Sequence, residues 1–306
     1  MWQDLRVYVA GHRGLVGSAV WRAAKDRGAD LVGWTSSELD LLDRDATFDA
    51  LLASSPDVVV MAAARVGGIL ANSRQPVDFL NDNVRIQSNL FDAAHAAGVN
   101  RLLFLGSSCI YPKDAPQPIP ETALMTGPLE PTNSAYAIAK IAGIEAVRAY
   151  RHQYGRRWIS AMPTNLYGPG DNFDLATSHV LPALIRRFHD ADDRVVLWGT
   201  GRPRREFLYS EDAADACLHL LEYYDGDDHV NVGVGQDIAI SDLANLVATA
   251  TGFDGQISWD RTMPDGTPRK LLDVRRLTGL GWSSRIGLRE GILRTYQWYL
   301  DNVDHA

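Results

Sequence analysis

Leu5-Arg6-Val7-Tyr8-Val9-Ala10 runs directly into Gly11-His12-Arg13-Gly14-Leu15-Val16-Gly17, and residues 15–25 then carry apolar side chains at helical spacing. An apolar, β-branched run closed by glycine predicts a strand, and the periodic stretch after it predicts a helix. Between two such elements the spacing G-x-x-G-x-x-G reads as a phosphate-binding turn. The first glycine permits the tight turn and the second lets the backbone approach a pyrophosphate. The third lets the helix pack closely, and the helix N-terminus favours an anion. Ligand-free glycine turns are common in α/β proteins, so the strand before and the helix after are what select the dinucleotide reading.

The same alternation continues outward from this turn. Strands are predicted at residues 31–33, 57–62 and 101–105, with helices at 47–53 and 76–97. The strand at 57–62 is apolar throughout rather than alternating, which predicts a parallel sheet covered on both faces. Six prolines in residues 112–131 exclude a helix or central strand there. A long irregular excursion of this kind in a compact enzyme reads as cover for a site. Past a strand at 158–162 the alternation weakens, with helices at 180–189, 212–223, 241–251 and 288–300 and a strand at 195–198. The expected fold is α/β, a Rossmann-type doubly wound parallel sheet with a smaller α/β substrate-binding C-terminal domain. Its boundaries are expected at residues 1–165 for the dinucleotide-binding domain, with 211–235 returning to it, and 166–306 for the substrate domain. There is no internal repeat.

Composition narrows the classes. With 306 residues and 46% hydrophobic side chains the chain can fill a substantial core. The 22% charged residues and scattered glycine and proline exclude disorder and low-complexity sequence. The apolar run at 58–64 is far below the roughly 18 residues that cross a bilayer. Met1-Trp2-Gln3-Asp4 lacks the basic start of an export signal. Cys109 and Cys217 lie too far apart in sequence for a zinc motif or a disulfide scaffold, so a reduced cytoplasmic protein without a metal is expected. A net charge of −8 weighs against nucleic acid as a partner. Lys25, Lys113, Lys140 and Lys270 are the only lysines, which makes a lysine at a motif position informative.

One such lysine completes a second constellation. Ser107 follows the strand at 101–105, and Tyr136 and Lys140 stand four apart on a predicted helix, hence on one face. The ammonium is expected to lower the phenol pKa and make Tyr136 a usable acid near neutrality. At the end of the second strand, Gly33-Trp34-Thr35-Ser36-Ser37 offers no acid for a ribose 2′-hydroxyl. Arg13, Ser36 and Ser37 suit a 2′-phosphate instead, which favours NADP over NAD, although a solvated Arg13 fits the sequence too. Arg186-Arg187, Arg202, Arg204-Arg205 and Arg269-Lys270 suit a diphosphate, or a solvated basic face.

Longer segments carry a more specific signal: 10–17 (AGHRGLVG), 62–69 (AAARVGGI), 103–112 (LFLGSSCIYP), 130–144 (EPTNSAYAIAKIAGI), 162–169 (MPTNLYGP) and 264–274 (PDGTPRKLLDV). With them the chain resembles, over nearly its whole length, the extended branch of the short-chain dehydrogenase/reductase superfamily. Within it the resemblance is to the GDP-L-fucose synthase family of GDP-4-keto-6-deoxy-D-mannose 3,5-epimerase/4-reductases. The resemblance implies NADP(H) as cofactor, a GDP-sugar as substrate and a homodimer formed through the helices near residues 84–97 and 135–154. It implies catalytic roles for Ser107, Tyr136 and Lys140 in reduction, with Ser107 bonding the sugar carbonyl, Tyr136 giving the proton and Lys140 holding the nicotinamide ribose.

It also implies a proton-transfer pair, Cys109 and His179, acting at sugar carbons 3 and 5. Read alone, Cys109 is a small buried hydrophobe and His179 a helix-start histidine. A thiol near about 8.5 and an imidazole near about 6.5 suit reversible proton transfer beside a ketone. Cofactor contacts are implied for Gly11, His12, Arg13, Gly14, Leu15, Val16, Gly17, Ser36, Ala62, Ala63 and Ala64. They extend to Leu105, Gly106, Ser107, Ser108, Tyr136, Lys140, Pro163, Thr164, Asn165, Leu166 and, in a second role, His179. Substrate contacts are implied for Arg187, Trp198, Arg205, Asp265 and Lys270. Cys217 keeps its reading as a core residue. Ser36 departs from the family, which often has an arginine there.

Two other readings share these features: a related nucleotide-sugar reductase for another sugar such as a deoxy-heptose, and a cofactor sensor without turnover. The complete set of five catalytic candidates weighs against the sensor.

Overall fold

The structure is a computed structural model and describes residues 2–303. β1 (Arg6–Ala10) passes through the glycine turn into α1 (Leu15–Asp26), followed by β2 (Asp30–Val32), α2 (Arg44–Ser54) and β3 (Val58–Met61). A short α3 (Ile69–Arg74) and a long α4 (Pro76–Ala96) lead to β4 (Arg101–Leu105), then α5 (Ser134–Tyr154) and β5 (Arg157–Pro163). The chain continues through β6 (Asn165–Tyr167), α6 (Val180–His189), β7 (Arg194–Trp198), β8 (Arg204–Arg205), β9 (Phe207–Tyr209) and α7 (Ser210–Tyr223). It ends with β10 (Val230–Val232), β11 (Ile238–Ala239), α8 (Ile240–Thr251), β12 (Gln256–Asp260), β13 (Arg269–Lys270), α9 (Arg275–Gly279) and α10 (Leu288–Asn302).

Six strands form one all-parallel sheet in the order β10-β5-β4-β3-β1-β2. The chain goes from β1 outward to β2 and then crosses back to β3, so the order reverses at β1. A crevice opens beyond the carboxyl ends of β1 and β3 at such a switch point, and this is where α/β sheets bind ligands. Successive strand residues feed opposite cores. Val7, Val9, Val58, Val60 and Leu103 pack with α1 and α7 residues, while Tyr8, Val59, Met61, Leu102 and Phe104 pack with those of α4 and α5. Burial on both faces explains why β3 reads Val-Val-Val-Met without a polar residue.

After β5 the chain leaves this sheet, and α7 with β10 comes back to it: α7 packs on α1, and β10 pairs with β5. The remaining C-terminal elements hold a separate core in which Leu184, Ile185 and Phe188 of α6 meet Leu243 and Val247 of α8 and Ile292 of α10. Two small sheets lie there, β7 with β12 and the three-stranded β11-β8-β13.

Some details differ from the sequence reading. The second strand stops at Val32, and the residue after it must be glycine, because a Cβ on Gly33 would come within 2.8 Å of the His12 ring and of Trp21. α3 has no counterpart among the predicted elements. The proline-rich excursion is not structureless: it contains one-turn helices at Glu121–Ala123 and Pro131–Asn133. It is tied to the C-terminal segment by Ile119 N–H to Leu271 O at 2.8 Å and Asp273 N–H to Ile119 O at 2.9 Å. Among the described residues no helix is long and apolar enough to cross a membrane.

Candidate active site

The glycine turn is built by contacts that only glycine tolerates. Gly11 has φ +80°, and a Cβ there would lie 2.8 Å from Ala63 N, so β1 and the residues after β3 touch backbone to backbone. A Cβ on Gly17 would lie 2.0 Å from Gly11 O, which sets how closely α1 stands under the turn. Gly14, the N-cap of α1, differs: its nearest neighbour would be Gly11 O at 3.5 Å, an ordinary contact, so nothing within the chain demands its missing side chain. The open space beside Gly14, at a helix N-terminus with no acid in its first turn, fits the diphosphate of a dinucleotide. His12 packs against Trp21 with ring centroids 5.0 Å apart, and Arg13 is exposed. Leu15 and Val16 open the helix.

Sequence reading missed one residue at this end. Gly33 to Ser37 contains no acid, but Glu38 follows, and its carboxylate accepts from Thr35 N at 2.7 Å and Thr35 Oγ1 at 2.8 Å. Those bonds, helped by the charges of Arg13 and His12, hold its pKa below the usual carboxylate range. Glu38 is thus committed to the turn that presents Ser36, which is exposed.

The other candidates lie beyond the carboxyl ends of β4 and β5. Leu105 ends β4; Gly106 follows, its N–H bonded to Ala161 O at 2.9 Å. Ser107 caps the turn that holds buried Ser108 and Cys109, accepting from Cys109 N at 3.4 Å. Lys140 is buried, donates from Nζ to Leu105 O at 2.8 Å, and lies 4.9 Å from the centroid of Phe104 and 5.8 Å from that of Tyr136. Phe79 stands edge-on to Tyr136 at 6.3 Å. On the third side, Pro163 ends β5, Thr164 is bonded through N–H to Val232 O, and Asn165 and Leu166 begin β6. Ala62 N–H bonds Ala10 O at 3.0 Å, while Ala63 and Ala64 continue the loop toward Gly68. Gly68 N–H bonds Thr177 O at 3.1 Å, which ties the loop after β3 to the segment that leads into His179, the N-cap of α6.

The titration behaviour corrects two expectations. Burial, with the Cys109 thiol adding to it, pushes the Tyr136 phenol above its ordinary value, so the nearby Lys140 does not make it acidic. Lys140 is itself depressed to about 8 by burial, which Cys109 partly offsets. Cys109 is also raised rather than poised at an ordinary thiol value: burial outweighs Lys270, the Ser107 hydroxyl and Lys140, all of which lower it. His179 touches solvent yet is ringed by protein, and that desolvation lowers its imidazole pKa.

The C-terminal candidates lie on α6 (Arg187), β7 (Trp198), β8 (Arg205), the loop before β13 (Asp265) and β13 (Lys270). Arg205 and Lys270 are register partners of β8 and β13. Arg205 Nη1 donates to Thr267 O at 2.6 Å, and burial lowers the pKa of both cations. Lys270 is close enough to the Cys109 thiol to lower it, which joins this strand to the β4 turn. Trp198, half exposed on β7, leads to Thr200, whose N–H and Oγ1 bind the Asp265 carboxylate at 2.8 and 2.6 Å. Arg187 of α6 reaches Val196 O on the same strand at 3.4 Å. Arg204 and Arg269, read as part of the basic cluster, are instead both paired with Asp237. Cys217 is buried in the core under α1. Among the described residues no cluster of His, Cys, Asp or Glu could hold a metal ion.

A doubly wound sheet with a glycine turn at its switch point and a Ser-Tyr-Lys group beside it defines a dinucleotide-dependent enzyme, and the chain belongs to the NAD dependent epimerase/dehydratase family, whose sequence pattern it matches over residues 7–233. Its similarity within that family is to the GDP-L-fucose synthases. It is 56% identical over 307 residues to GDP-L-fucose synthase 1 of Arabidopsis thaliana, covering 98% of this chain and 95% of that one. The crystal structure of a GDP-L-fucose synthetase from Naegleria fowleri bound to NADP superposes with a TM-score of 0.91 at 30% identity, covering 99% and 96% of the two chains. A GDP-mannoheptose C4 reductase from Campylobacter jejuni with NADP bound superposes with a TM-score of 0.90 at 32% identity, covering 98% and 99%.

Proposed function

We propose that this protein converts GDP-4-keto-6-deoxy-D-mannose to GDP-L-fucose, by epimerisation at carbons 3 and 5 and reduction at carbon 4, with NADP(H). The observation that carries this reading is the convergence of Ser107, Cys109, Tyr136, Lys140 and the Arg205–Lys270 pair on one crevice beside the glycine turn. Similarity to GDP-L-fucose synthases over nearly the whole chain supports the choice of sugar nucleotide.

The dinucleotide, when bound, supplies hydride to sugar carbon 4. The protein's own part begins with binding: Gly14 at the N-terminus of α1 receives the diphosphate in the turn that Gly11 and Gly17 shape, and Arg13 with Ser36 meets the 2′-phosphate. Ala62, Ala63, Ala64, Pro163, Thr164, Asn165 and Leu166 line the remainder. Lys140, fixed by Leu105 O, presents its ammonium to the nicotinamide ribose. Ser107 donates to the carbonyl oxygen at carbon 4 and so polarises it. Tyr136 gives the proton to the oxygen as negative charge develops; burial makes its phenol a weaker acid, but an alkoxide is more basic than a phenoxide and still draws the proton. The same carbonyl acidifies the C–H bonds at carbons 3 and 5, where Cys109 and His179 remove and return protons. Arg205 and Lys270 take the substrate diphosphate, with Arg187, Trp198 and Asp265 at its nucleoside end.

The chain divides, in this reading, into a dinucleotide-binding domain of residues 1–165 joined by 211–235 and a substrate domain made from the rest of 166–306. It works in the cytoplasm as a homodimer through α4 and α5, whose exposed Val84 and Ile138 support that contact. The likeness to a heptose reductase favours a second reading, reduction of a GDP-heptose by the same residues.

The test is to supply GDP-4-keto-6-deoxy-D-mannose and NADPH in heavy water, with a GDP-4-keto-heptose alongside. NADPH oxidation with deuterium at carbons 3 and 5 of the product is expected. Oxidation without deuterium would reduce the reading to a plain 4-reductase, and turnover of the heptose alone would replace the substrate.

A further inference from the structure

Glu206 is fully buried between β8 and β9, the only residue in Arg204-Arg205-Glu206-Phe207-Leu208-Tyr209 that is both charged and sealed from solvent. Among the described residues no guanidinium or ammonium pairs with its carboxylate; main-chain donors from two distant segments do. Oε1 accepts from Val234 N and Gly235 N, each at 2.7 Å, and Oε2 accepts from Leu272 N at 3.0 Å. Burial raises its pKa while these bonds lower it, so each N–H opposes the cost of desolvating the carboxylate. Its main-chain oxygen accepts from Asn165 Nδ2 at 2.8 Å and Thr164 Oγ1 at 3.3 Å. A Cβ on Gly233 would lie 2.4 Å from Oε1, so the turn that follows β10 is moulded around the carboxylate.

Residue 206 therefore touches both halves of the crevice. One side is the 164–165 segment assigned to the dinucleotide. The other is Leu272, two residues beyond Lys270, and the residue's own neighbour Arg205. We propose that Glu206 is a positioning residue: by holding Leu272 N and the Val234–Gly235 turn against β8, it fixes Lys270 beside Arg205 for the substrate diphosphate and beside the Cys109 thiol. This deepens the functional reading above and rests on it for the identity of the ligand.

The test uses the full chain with Glu206→Gln. The amide keeps the shape, and its Oε1 can still accept from Val234 and Gly235. Its NH2 then meets the Leu272 N–H donor to donor, which frees the segment that carries Lys270. Binding of GDP, measured by calorimetry, is expected to weaken by about 10-fold, with NADPH affinity changed by less than about 3-fold. The second readout is the pH dependence of Cys109 alkylation by iodoacetamide, resolved from Cys217 by peptide mass. Lys270, Lys140, the Ser107 hydroxyl and the Tyr136 phenol face that thiol. With Lys270 displaced the midpoint is expected to move to higher pH, whereas a merely loosened fold would expose the thiol and speed alkylation at every pH.

Gly233→Ala pushes on the same carboxylate from the opposite side and is expected to reproduce both shifts. Unchanged GDP affinity and an unmoved Cys109 midpoint in either folded variant would overturn the proposal, as would failure of both variants to fold, which would assign Glu206 to folding alone. A wild-type protein that binds GDP but does not turn over the sugar would sink the functional reading and leave these two readouts standing.

Discussion

Arg205 and Lys270 lie side by side as register partners of parallel strands, while their neighbours Arg204 and Arg269, one residue back on each strand, share the Asp237 carboxylate. Strand side chains alternate in direction, so one residue of offset separates two cations turned to the crevice from two held by a carboxylate whose side chain is 5% exposed. Arg205→Ala is expected to raise KM for the GDP-sugar about 10- to 100-fold, the loss of a charge-assisted contact worth ~1.5–3 kcal/mol. Arg204→Ala should leave KM within about 2-fold and lower the melting temperature by a few degrees at most. Steady-state kinetics and thermal melts on the two variants check this, and equal KM effects would contradict the assignment of sides.

Tyr136 tests the reductive half. Its hydroxyl is the only atom that Tyr136→Phe removes, and the Phe79 edge contact survives. Loss of a general acid is expected to slow hydride transfer about 100- to 10,000-fold, with NADPH affinity nearly unchanged. Stopped-flow oxidation and fluorescence titration of NADPH separate the two quantities. Retained turnover would remove Tyr136 from the proton path.

Lys140 gives the pH dependence a sign. Its ammonium is the majority form below about pH 8 and is lost as pH rises through that value. The reduction rate is therefore expected to fall on an alkaline limb near 8, rather than near the ~10.4 of an ordinary lysine. Stability runs the other way. Between the folded value and the unfolded one the unfolded chain binds the extra proton, so this group makes the protein more stable as pH rises from about 8 toward ~10.4 and contributes a constant penalty below it. Lys140→Arg, which keeps its charge, should remove the limb from the pH–rate profile.

The parts of the fold and site that could be read from sequence are those whose signal is local. β3 declares itself because both its faces are buried, and the glycine turn because a Cβ on Gly11 or Gly17 would meet neighbouring backbone at 2.8 and 2.0 Å. Tyr136 and Lys140 needed only the helical period. What stayed hidden depends on approach between distant segments. The bond from Leu272 N to Glu206 spans 66 residues, and the burial that raises Tyr136 and Cys109 is a property of the closed crevice. Glu206 did leave a trace, a carboxylate beside the apolar Phe207-Leu208-Tyr209 run, and an acid in such a place demands donors. Glu38 was missed by one position because its role comes from a turn, not from the strand end.

In the proposed function Arg13 and Ser36 decide between the two dinucleotides. Glu38 is occupied by Thr35, which leaves the exposed Arg13 as the cation at this end of the turn. Arg13→Ala is expected to raise KM for NADPH about 10-fold and to leave NADH within about 2-fold. Ser36→Arg should act in the opposite sense by adding a second guanidinium. A ratio of the two cofactors unmoved by either substitution would place the 2′-phosphate elsewhere.

Cys109 and His179 can be separated from the reductive group because exchange at carbons 3 and 5 does not consume NADPH. In heavy water Cys109→Ser and His179→Gln are each expected to cut deuterium incorporation at those carbons by 100-fold or more, on the order of the loss of a general acid or base. NADPH affinity should survive in Cys109→Ser, whose side chain is buried in the β4 turn, and weaken in His179→Gln if His179 also meets the dinucleotide. The lowered imidazole pKa keeps His179 neutral down to a pH below the usual ~6.5, so exchange should persist under mildly acidic conditions and fail only beneath that value. Nuclear magnetic resonance of the recovered sugar reads both carbons at once. Full exchange in either variant would show that the pair does not move these protons, and loss at one carbon only would assign that residue to a single centre.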